Sequence, residues 1–390
     1  MNRPNVLLIA EGSGGHLIPA LEVATALSKA GATTKVWYAQ RAATAPLAGA
    51  LAASASQAAV EVDPIPLQRC ASLAGRLWAC GQLWRRATRC FDTFAPDIVV
   101  GFGGWVSAPV VLAARLRGKV DSPGSGRPGN RRMIPCLLHE QNVQLGRANR
   151  LLTRWVDQVA VSFAQTESMV QGRPTVMTGM PVRPAIASGS REHAAHRFGL
   201  DLQRPTVLVL GGSQGARALN RLLCEAVACW TPAQRHTYQL IHLTGQRDER
   251  MVRDLHANHG VSAWVAPYLV EMQQAYAMAD MAVARSGAST VAELAQCGIP
   301  ALLIPYPHAA GHQRANAHVV AAAGGGFVIE ESQATPARLT DTIQRVLDDP
   351  TLRRRMGEQM RSLHSAGAAE RLTHMILALA ASPHTRIVWS

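Results

Sequence analysis

Two glycine-rich loops carry residues whose types and spacing suit the binding of a phosphate or a sugar. "EGSGGH" (11–16) follows an apolar run and precedes a helical pattern, and "GGSQGA" (211–216) does the same later in the chain. Main-chain N–H groups at a glycine turn and a helix start attract anions. The alternatives are a purely structural turn for the first loop and an ordinary helix cap for Ser213. Because a cap and an anion site use the same amides, the two interpretations of Ser213 are compatible.

The first loop departs from the dinucleotide-binding fingerprint. Gly12 and Gly14 match the first two glycines of G-x-G-x-x-G, but Leu17 occupies the third position. The next predicted strand ends in Ala39 and Gln40, which supply no acid for a ribose. The chain also lacks a D-x-D pair and a Walker lysine. We therefore expect no nicotinamide, flavin or metal, with phosphate charge met by amides, helix dipoles and arginine.

Further polar residues follow other apolar runs. The four side chains from His139 to Asn142 end one such run, which a buried core does not explain. Arg183 stands between two prolines, where a fixed guanidinium could reach a phosphate. Gln313 and Asn316 are three residues apart and would share one helical face. These positions favour a polar site at the carboxyl ends of strands.

Glu293 has two interpretations. It lies three residues after Thr290 in "RSGASTVAELAQCG" (285–298), which is the spacing of a capping box at a helix start. Alternatively, its carboxylate accepts hydrogen bonds from the two hydroxyls of a ribose. The spacing by itself leaves both open.

The elements that hold these loops follow from the apolar pattern. Short β-rich runs alternate with amphipathic stretches, which predicts parallel sheets covered by helices on both faces. The candidate strands are 6–10, 34–39, 97–102, 134–140, 206–212, 238–245, 262–268, 280–287 and 300–306. The pattern restarts at 206, after a polar stretch at 188–205 that we interpret as a linker. The predicted fold class is α/β, with two doubly wound domains that bind ligand at the carboxyl ends of their strands.

Composition narrows the class of protein. The chain has 390 residues, 48% of them hydrophobic and 17% charged, which is enough to bury two cores. Seven cysteines without a CxxC pair predict reduced thiols of an intracellular protein. The short apolar run near the N-terminus does not predict a secretory signal, and glycines interrupt the uncharged stretch at 98–114.

The net charge of +13, mostly from arginine, favours acidic partners such as nucleotide diphosphates or anionic lipid surfaces. Nucleic acid is not expected, because aromatic residues make up 5% of the chain and no stacking motif accompanies the basic residues. The stretch 64–94 combines a stripe of Leu73, Leu77 and Trp84, with Trp78 beside it, and several arginines. It predicts either a core-packed helix with a solvated basic face or a helix that meets an anionic membrane surface through residues 69–89. A Gly-, Pro- and Arg-rich insert at 118–132 predicts a surface loop.

Taken in order, the segments GSGGH, GFGGWVS, HEQN, GMPVR, GGSQGA, RSGASTVAE and HQRANA resemble the bacterial MurG family of peptidoglycan glycosyltransferases (glycosyltransferase family 28). The resemblance implies a GT-B fold, in which two Rossmann-like doubly wound parallel-sheet domains face a cleft. It assigns the acceptor and membrane-facing domain to 1–185, with a C-terminal helix at about 366–385 returning to it, and the UDP-sugar domain to 186–365.

The implied reaction is an inverting, metal-independent transfer of N-acetylglucosamine from UDP-N-acetylglucosamine. The acceptor is the C4 hydroxyl of lipid I (undecaprenyl-diphospho-MurNAc-pentapeptide), and the products are lipid II and UDP. The implied location is peripheral, on the cytoplasmic side of the bacterial inner membrane, with other cell-wall synthesis proteins as further partners. We hypothesise that the insert at 118–132 adds to the attraction of the lipid surface.

The resemblance also implies roles for individual residues. His16 and Glu140 are the candidate catalytic bases, and His16 is alternatively an acceptor-site residue. Leu269 would meet the uracil through its backbone, and Glu293 would hold the ribose hydroxyls. The implied donor contacts are Ser13, Gly14, Gly15, Asn142, Arg183, Ser213, Leu269, Ala288, Ser289, Thr290, Val291, Ala292, Glu293 and Gln313.

Three residues depart from the family pattern. Ser13 replaces the usual Thr, Met180 replaces the usual Asn, and Trp105 replaces the usual Tyr. Two other functions therefore stay open beside the transferase. One is a related enzyme, either a GT-B transferase with another acceptor lipid or a nucleotide-sugar epimerase. The other is a binding scaffold that has lost turnover, against which the intact His16 and Arg183 argue.

Overall fold

The computed structural model describes residues 3–12, 14–40, 49, 59–66, 73–116, 119–120, 131–212 and 215–382. The chain divides into two compact units, the first made of residues 1–181 and 366–390 and the second of residues 182–365. Within the described ranges, the helices are all too short or too polar to cross a bilayer.

The first unit is built on a seven-stranded parallel sheet with the order β3-β2-β1-β4-β7-β8-β9. Its strands are β1 (Asn5–Glu11), β2 (Thr33–Gln40), β3 (Glu61–Pro66), β4 (Ile98–Gly101), β7 (Cys136–Glu140), β8 (Gln158–Val161) and β9 (Thr175–Met177). A separate antiparallel pair consists of β5 (Lys119–Val120) and β6 (Arg131–Arg132). The helices of the first unit up to residue 181 are α1 (Gly14–Lys29), α2 (Leu73–Thr93), α3 (Ser107–Leu116), α4 (Arg147–Leu152) and α5 (Ala164–Glu167).

The second unit is built on a six-stranded parallel sheet with the order β12-β11-β10-β13-β14-β15. Its strands are β10 (Thr206–Leu210), β11 (Gln239–Leu243), β12 (Ala263–Ala266), β13 (Met281–Ala284), β14 (Ala301–Leu303) and β15 (Gly326–Val328). Its helices are α6 (Arg191–Phe198), α7 (Arg217–Ala228), α8 (Pro232–Thr237), α9 (Glu249–Asn258), α10 (Met272–Met278), α11 (Ala288–Cys297), α12 (His312–Ala322), α13 (Pro336–Leu347) and α14 (Pro350–Ser362).

Each sheet is buried on both faces, as its apolar runs predict. In the first unit Val6 and Leu8 belong to one core cluster, while Leu7 and Ile9 belong to the cluster on the opposite face. The third position of the incomplete dinucleotide fingerprint, Leu17, is buried in the first of these clusters. The nine predicted strands are confirmed, and the α/β class with two doubly wound parallel sheets is confirmed with them.

The stretch 188–205 is not a linker, so that interpretation is wrong. It contains α6, whose Ser190 caps the helix by accepting a hydrogen bond from the main-chain N–H of His193. Gly199 ends the helix with a left-handed φ of 63°. Ala194 and Phe198 are buried in a core cluster of the second unit. The polar composition therefore belongs to the solvent-facing side of an amphipathic helix.

A helix far along the chain completes the core of the first unit. This helix, α15 (Ala368–Ala381), buries Leu372 and Ile376 in the same cluster as Val6 and Leu8. The guanidinium of Arg371 donates two hydrogen bonds, of 2.8 and 3.1 Å, to the main-chain carbonyl of Thr178.

Helix α2 has a buried apolar face and an exposed mixed face. Leu83, Ala87 and Phe91 lie in a core cluster, so the helix packs on the core through residues other than the predicted stripe. Trp84 of that stripe is partly buried against the same cluster. Leu77 and Trp78 are 65% and 63% exposed. Arg86 is half-buried, and its guanidinium lies 4.8 Å from the ring centroid of Trp37 and 3.5 Å from Asp63. Residues 69–72 of the first predicted membrane-facing segment, and residues 118 and 121–130 of the second, lie outside the described residues.

Candidate functional site

The polar residues of the first unit gather at the carboxyl ends of three neighbouring strands, β1, β4 and β7. Gly14 and Gly15 are the first two residues of α1, and His16 is the third, half-buried. Ser13, the serine of the same loop, lies outside the described residues. The loop therefore leads directly into a helix N-terminus, which is the arrangement that the glycine spacing predicts.

Close backbone approach explains two glycines of this edge. A Cβ at Gly12 would lie 1.9 Å from the carbonyl oxygen of Ala39, which ends up beside the loop because β1 and β2 are paired. Gly103 has a φ of +82°, and a Cβ there would lie 3.2 Å from Cδ2 and 3.3 Å from Nε2 of His16. The imidazole of His16 thus rests against the main chain of Gly103.

Glu140 is a buried carboxylate that organises the loop after β7. Its Oε1 accepts hydrogen bonds from the main-chain N–H and the side-chain amide of Asn142, at 3.0 and 3.1 Å. Its Oε2 accepts from the main-chain N–H of Gly146 and from the amide of Asn149, both at 2.8 Å. Two expected site residues, Glu140 and Asn142, are therefore hydrogen-bonded to each other. Four hydrogen-bond donors therefore hold this carboxylate in place.

His139 is a buried neutral histidine in the same region. Its Nε2 lies 3.1 Å from the carbonyl of Gly179, so this nitrogen carries the proton. Its Nδ1 accepts from the side-chain amide of Gln141 at 3.3 Å. Burial lowers the pKa of His139 to about 4. The hydroxyl of Ser162, 3.4 Å from Nε2, donates to the sulfur of Met180, so the methionine that departs from the family pattern packs into this network.

An acidic residue that the sequence analysis did not single out joins two loops of this edge. Glu11, the last residue of β1, accepts a hydrogen bond from the main-chain N–H of Trp105 at 3.3 Å. The indole of Trp105 is 37% exposed. The signal that could have identified it is an acid placed between an apolar strand and a glycine loop.

The glycine loop of the second unit has the same kind of close approach. A Cβ at Gly211 would lie 2.5 Å from the main-chain nitrogen of Ala216, and one at Gly215 would lie 2.2 Å from the carbonyl oxygen of Thr244. Gly212 and Gly215 have φ values of 82° and 74°. Helix α7 begins at Arg217 with Ala216 as its N-cap, and no side chain caps it there. Ser213 itself lies outside the described residues.

A buried pair of histidines, His242 and His256, is linked to this loop through hydrogen bonds of Asn220. Asn220 donates through its amide to the carbonyl of Thr244 and to Asp248, both at 2.9 Å, so its Oδ1 is an acceptor. His242 Nε2 donates to that oxygen at 3.1 Å, and His242 Nδ1 lies 3.1 Å from Nε2 of His256. Each imidazole therefore keeps one proton. Burial lowers the pKa of His256 to about 4 and that of His242 well below its usual value.

Helix α11 carries the expected ribose-binding glutamate. The helix begins at Ala288 with Gly287 as its N-cap, which makes Glu293 the sixth helical residue. The capping-box interpretation of Thr290 and Glu293 is therefore wrong. Residues 288–292 form the first turn of the helix and the start of its second turn, where the helix dipole favours negative charge.

Glu293 is 7% exposed and accepts a hydrogen bond of 2.6 Å from the hydroxyl of Tyr276 on α10. Burial raises the pKa of Glu293, and the bond from Tyr276 and the charge of Arg183 oppose that rise. Tyr276 is a functional candidate that the sequence analysis missed, because one tyrosine inside an amphipathic helix gives no signal.

Three further expected donor contacts of this unit are Arg183 and Leu269, which lie on loops, and Gln313, which lies in the first turn of α12. Arg183 donates to the carbonyl of Val270 at 3.4 Å, and its buried Nε has no partner among the described residues. Leu269, next to that carbonyl, is half-buried. Gln313 Oε1 accepts from the main-chain N–H of Tyr306 at 2.9 Å, which fixes the loop after β14.

Gln313 and Asn316 share one face of α12, as their spacing predicts. The hydroxyl of Ser286 donates to the carbonyl of Gln313 at 2.8 Å, and the amide of Asn316 donates to the carbonyl of Ser286 at 3.0 Å. The two residues therefore hold the turn after β13 against α12. Within the described ranges, His, Cys, Asp and Glu side chains form no group of three that could hold a metal ion.

Family models match both units. The model described as the glycosyltransferase family 28 N-terminal domain matches residues 6–161, and the C-terminal domain of that family matches residues 206–372. The chain is 36% identical over 384 residues to a protein of Mesorhizobium japonicum, with 97% of this chain and 96% of the relative covered. It is 33% identical over 393 residues to a protein of Desulforamulus reducens, with 95% and 96% covered. Both relatives are named UDP-N-acetylglucosamine–N-acetylmuramyl-(pentapeptide) pyrophosphoryl-undecaprenol N-acetylglucosamine transferase.

Solved structures match the whole chain. MurG of Acinetobacter baumannii has a TM-score of 0.70 and 26% identity, covering 97% of this chain and 100% of that one. A UDP-GlcNAc 2-epimerase from Neisseria meningitidis has a TM-score of 0.69 at 13% identity, covering 96% and 100%, which shows a shared fold alone. With two Rossmann-like parallel-sheet units in the described residues, the predicted GT-B fold is confirmed.

We expect the free energy of unfolding to fall as the pH drops from about 6.5 to about 4. His139 and His256 have folded-state pKa values of about 4, below the value of 6.5 for an unperturbed histidine, so the unfolded chain binds more protons in this window. Replacing His256→Gln removes one such group, so urea unfolding at pH 7.5 and 5 should show a shallower decline. The exposed His318→Gln is the control and should keep the wild-type slope. An unchanged slope in His256→Gln would contradict the assignment.

Proposed function

Because the chain belongs to glycosyltransferase family 28 and is a glycosyltransferase, we propose that it transfers N-acetylglucosamine from UDP-N-acetylglucosamine to lipid I, forming lipid II for peptidoglycan. The observation that carries the proposal is the similarity over nearly the full length to relatives named for this reaction. Two glycine loops, each leading to a helix N-terminus, support it physically, because the donor is a diphosphate.

The donor half of the reaction is assigned to the second unit. The amides around Ser213 and the start of α7 would bind the diphosphate, with Arg183 adding a guanidinium. Glu293 would accept hydrogen bonds from the ribose hydroxyls, and the main chain at Leu269 would meet the uracil. The start of α11 and Gln313 would line the sugar side. In the first unit, Ser13, Gly14, Gly15 and Asn142 stay predicted donor contacts.

The acceptor half is assigned to the first unit. The C4 hydroxyl oxygen of the acceptor attacks the anomeric carbon and forms the new glycosidic bond. The bond from that carbon to the diphosphate oxygen breaks, and UDP leaves with the electron pair from the opposite face, so the configuration inverts. We assign the hydroxyl proton to His16, because the carboxylate of Glu140 already accepts four hydrogen bonds from its own loop.

Stabilisation of the departing UDP is the main electrostatic contribution in this scheme. Amides at two helix starts and the guanidinium of Arg183 would meet the charge of the diphosphate without a metal ion. Donors that are already fixed by the fold need no reorganisation when the charge develops. The metal independence and the inversion are both parts of the proposal.

We also assign a lipid surface to the first unit, on the cytoplasmic side of the bacterial inner membrane. Trp78, Arg85 and Arg89 are exposed and, at spacings of seven and eleven residues, share one face of α2. A tryptophan with flanking arginines suits the headgroup region of an anionic bilayer. The insert at 118–132 would add further basic charge to this surface, and other cell-wall synthesis proteins would be further partners.

Purified protein should transfer labelled N-acetylglucosamine to a lipid I analogue in buffer containing a chelator. His16→Ala should lower turnover on the order of a hundredfold or more, because it removes the proton acceptor, and leave UDP affinity within about threefold. The exposed His374→Ala, in the same unit, is the matched control and should keep wild-type turnover. Epimerised donor without transfer would contradict the function, and loss of UDP binding in His16→Ala would make His16 a structural residue.

Tyr276→Phe should weaken the binding of UDP-N-acetylglucosamine by about tenfold, since a buried carboxylate loses a donor worth roughly 1.5–3 kcal/mol. Without that donor the pKa of Glu293 rises further, and a protonated Glu293 accepts hydrogen bonds poorly. Calorimetric titration measures the change. Tyr238→Phe is the control, because the hydroxyl of Tyr238, the residue before β11, also donates to a carboxylate, that of the exposed Asp348. Equal effects of the two variants would refute a specific role for Tyr276.

Vesicle binding tests the lipid surface. Trp78→Ser should reduce binding to vesicles of anionic phospholipid several-fold, and Arg85→Gln with Arg89→Gln should reduce it by about fivefold per arginine, at a cost of roughly 1 kcal/mol each. The effect of the arginine variants should disappear at high salt. Leu151→Ser is the control, because Leu151 is 55% exposed on another helix of the same unit. Wild-type binding by the Trp78 variant would overturn the assignment.

A further inference from the structure

Glu11 stands where two loops of the first unit start side by side. It is the last residue of β1, and β1 pairs with β4 so that Ile9 lies opposite Gly101. The main-chain N–H of Phe102 continues this pairing by donating to the carbonyl of Ile9 at 2.8 Å. The loop that leads to His16 and the turn that leads to α3 therefore leave the sheet next to each other.

The side chain of Glu11 spans from one loop to the other. Its Oε1 accepts the hydrogen bond from the main-chain N–H of Trp105 at 3.3 Å. The Cγ methylene of Glu11 packs against Gly104, and a Cβ added at Gly104 would lie 2.0 Å from that Cγ. Gly104 has a φ of +81°, so a residue with a side chain would be strained there as well. Glu11 thus covers the turn by contact and fixes it by a hydrogen bond.

The neighbouring glycine of the same turn supports His16. Gly103, also left-handed, lies against the imidazole, with the position of its absent Cβ 3.3 Å from Nε2. Two further bonds hold this turn: the hydroxyl of Ser107 donates to the carbonyl of Gly103 at 2.9 Å, and Gln141 donates to the carbonyl of Phe102 at 3.0 Å. Neither of them reaches Gly104 or Trp105, whose placement is left to Glu11 and to the start of α3.

We propose that Glu11 is a positioning residue for the transfer. Its carboxylate fixes the turn 103–105, and the turn in turn fixes the imidazole of His16 against Gly103. The inference rests on the proposed function of His16. Glu11 acts through its acceptor oxygen and its methylene contact, not through its charge, because a negative charge beside a loop that binds a diphosphate weakens that binding.

The test is a double-mutant cycle between Glu11 and His16. Glu11→Ala should lower turnover about tenfold in the wild-type background, with little change in KM for the donor, and should have almost no effect in the His16→Ala background. Glu11→Gln keeps an acceptor at the same place and should restore most of the turnover. Losses that multiply in the double variant would overturn the proposal, and so would equal losses in the Gln and Ala variants.

Hydrogen exchange separates this proposal from the proposed function. The amide of Trp105 should exchange faster in Glu11→Ala than in Glu11→Gln, because it loses its acceptor. This measurement needs no substrate. If the wild-type protein transfers no sugar while the amide is deprotected in Glu11→Ala, the proposed function fails and the contact stands. If the wild-type protein is active and Glu11→Ala changes neither the exchange nor the turnover, the positioning role fails. Urea unfolding of each variant controls for loss of the fold.

Discussion

A methyl group has no room in the loop that follows the central strand of either unit. In the first unit a Cβ at Gly12 would meet the carbonyl oxygen of Ala39 at 1.9 Å, and in the second a Cβ at Gly215 would meet that of Thr244 at 2.2 Å. The partner carbonyl belongs in both cases to the segment that ends the strand beside the central one, β2 or β11. Because glycine is required at these two positions, each loop can pack closely against the end of its sheet, and this packing determines where the following helix begins.

Neutral histidines in the carboxyl halves of β7 and β11, one in each sheet, keep the surrounding segments in place. His139 connects the end of β7 to Gly179, and His242 connects the middle of β11 to Asn220 and through it to Thr244. A neutral imidazole offers one donor and one acceptor, which satisfies two unlike partners without burying a charge. These two histidines therefore connect their segments without adding a buried charge.

The sequence predicts those parts of the fold whose signal is local. Buried central strands such as β1 and β10 are apolar on both faces, and the glycine spacing after them marks the loops. The edge strand β3 was missed because Pro64 and Pro66 break its pattern. Helix α6 was taken for a linker because its apolar positions are few, although Ser190 and Gly199 mark its ends.

Prediction of the site has a similar limit. The residues gathered at the strand ends followed from the topology, because parallel strands bring their carboxyl ends to one edge. Which side chains satisfy one another did not follow. Glu140 takes its four donors from a loop whose path no pattern specifies, and Tyr276 reaches Glu293 from another helix. The capping box at Thr290 failed because a shift of a few residues in the helix start changes which residue is the cap.

Because α15 packs in the core of the first unit, the two units must complete their folding in a fixed order during translation. Leu372, Met375 and Ile376 share a core cluster with Val6 and Leu8 of the first strand. A ribosome that has finished β9 must translate the whole second unit before these side chains exist, which takes roughly 10 to 40 s at about 5–20 residues per second. During that interval the face of α1 and β1 that α15 covers stays open to solvent and to chaperones. The second unit, which is continuous in sequence, can close its core first, so the unit that is translated first is the one that finishes folding last.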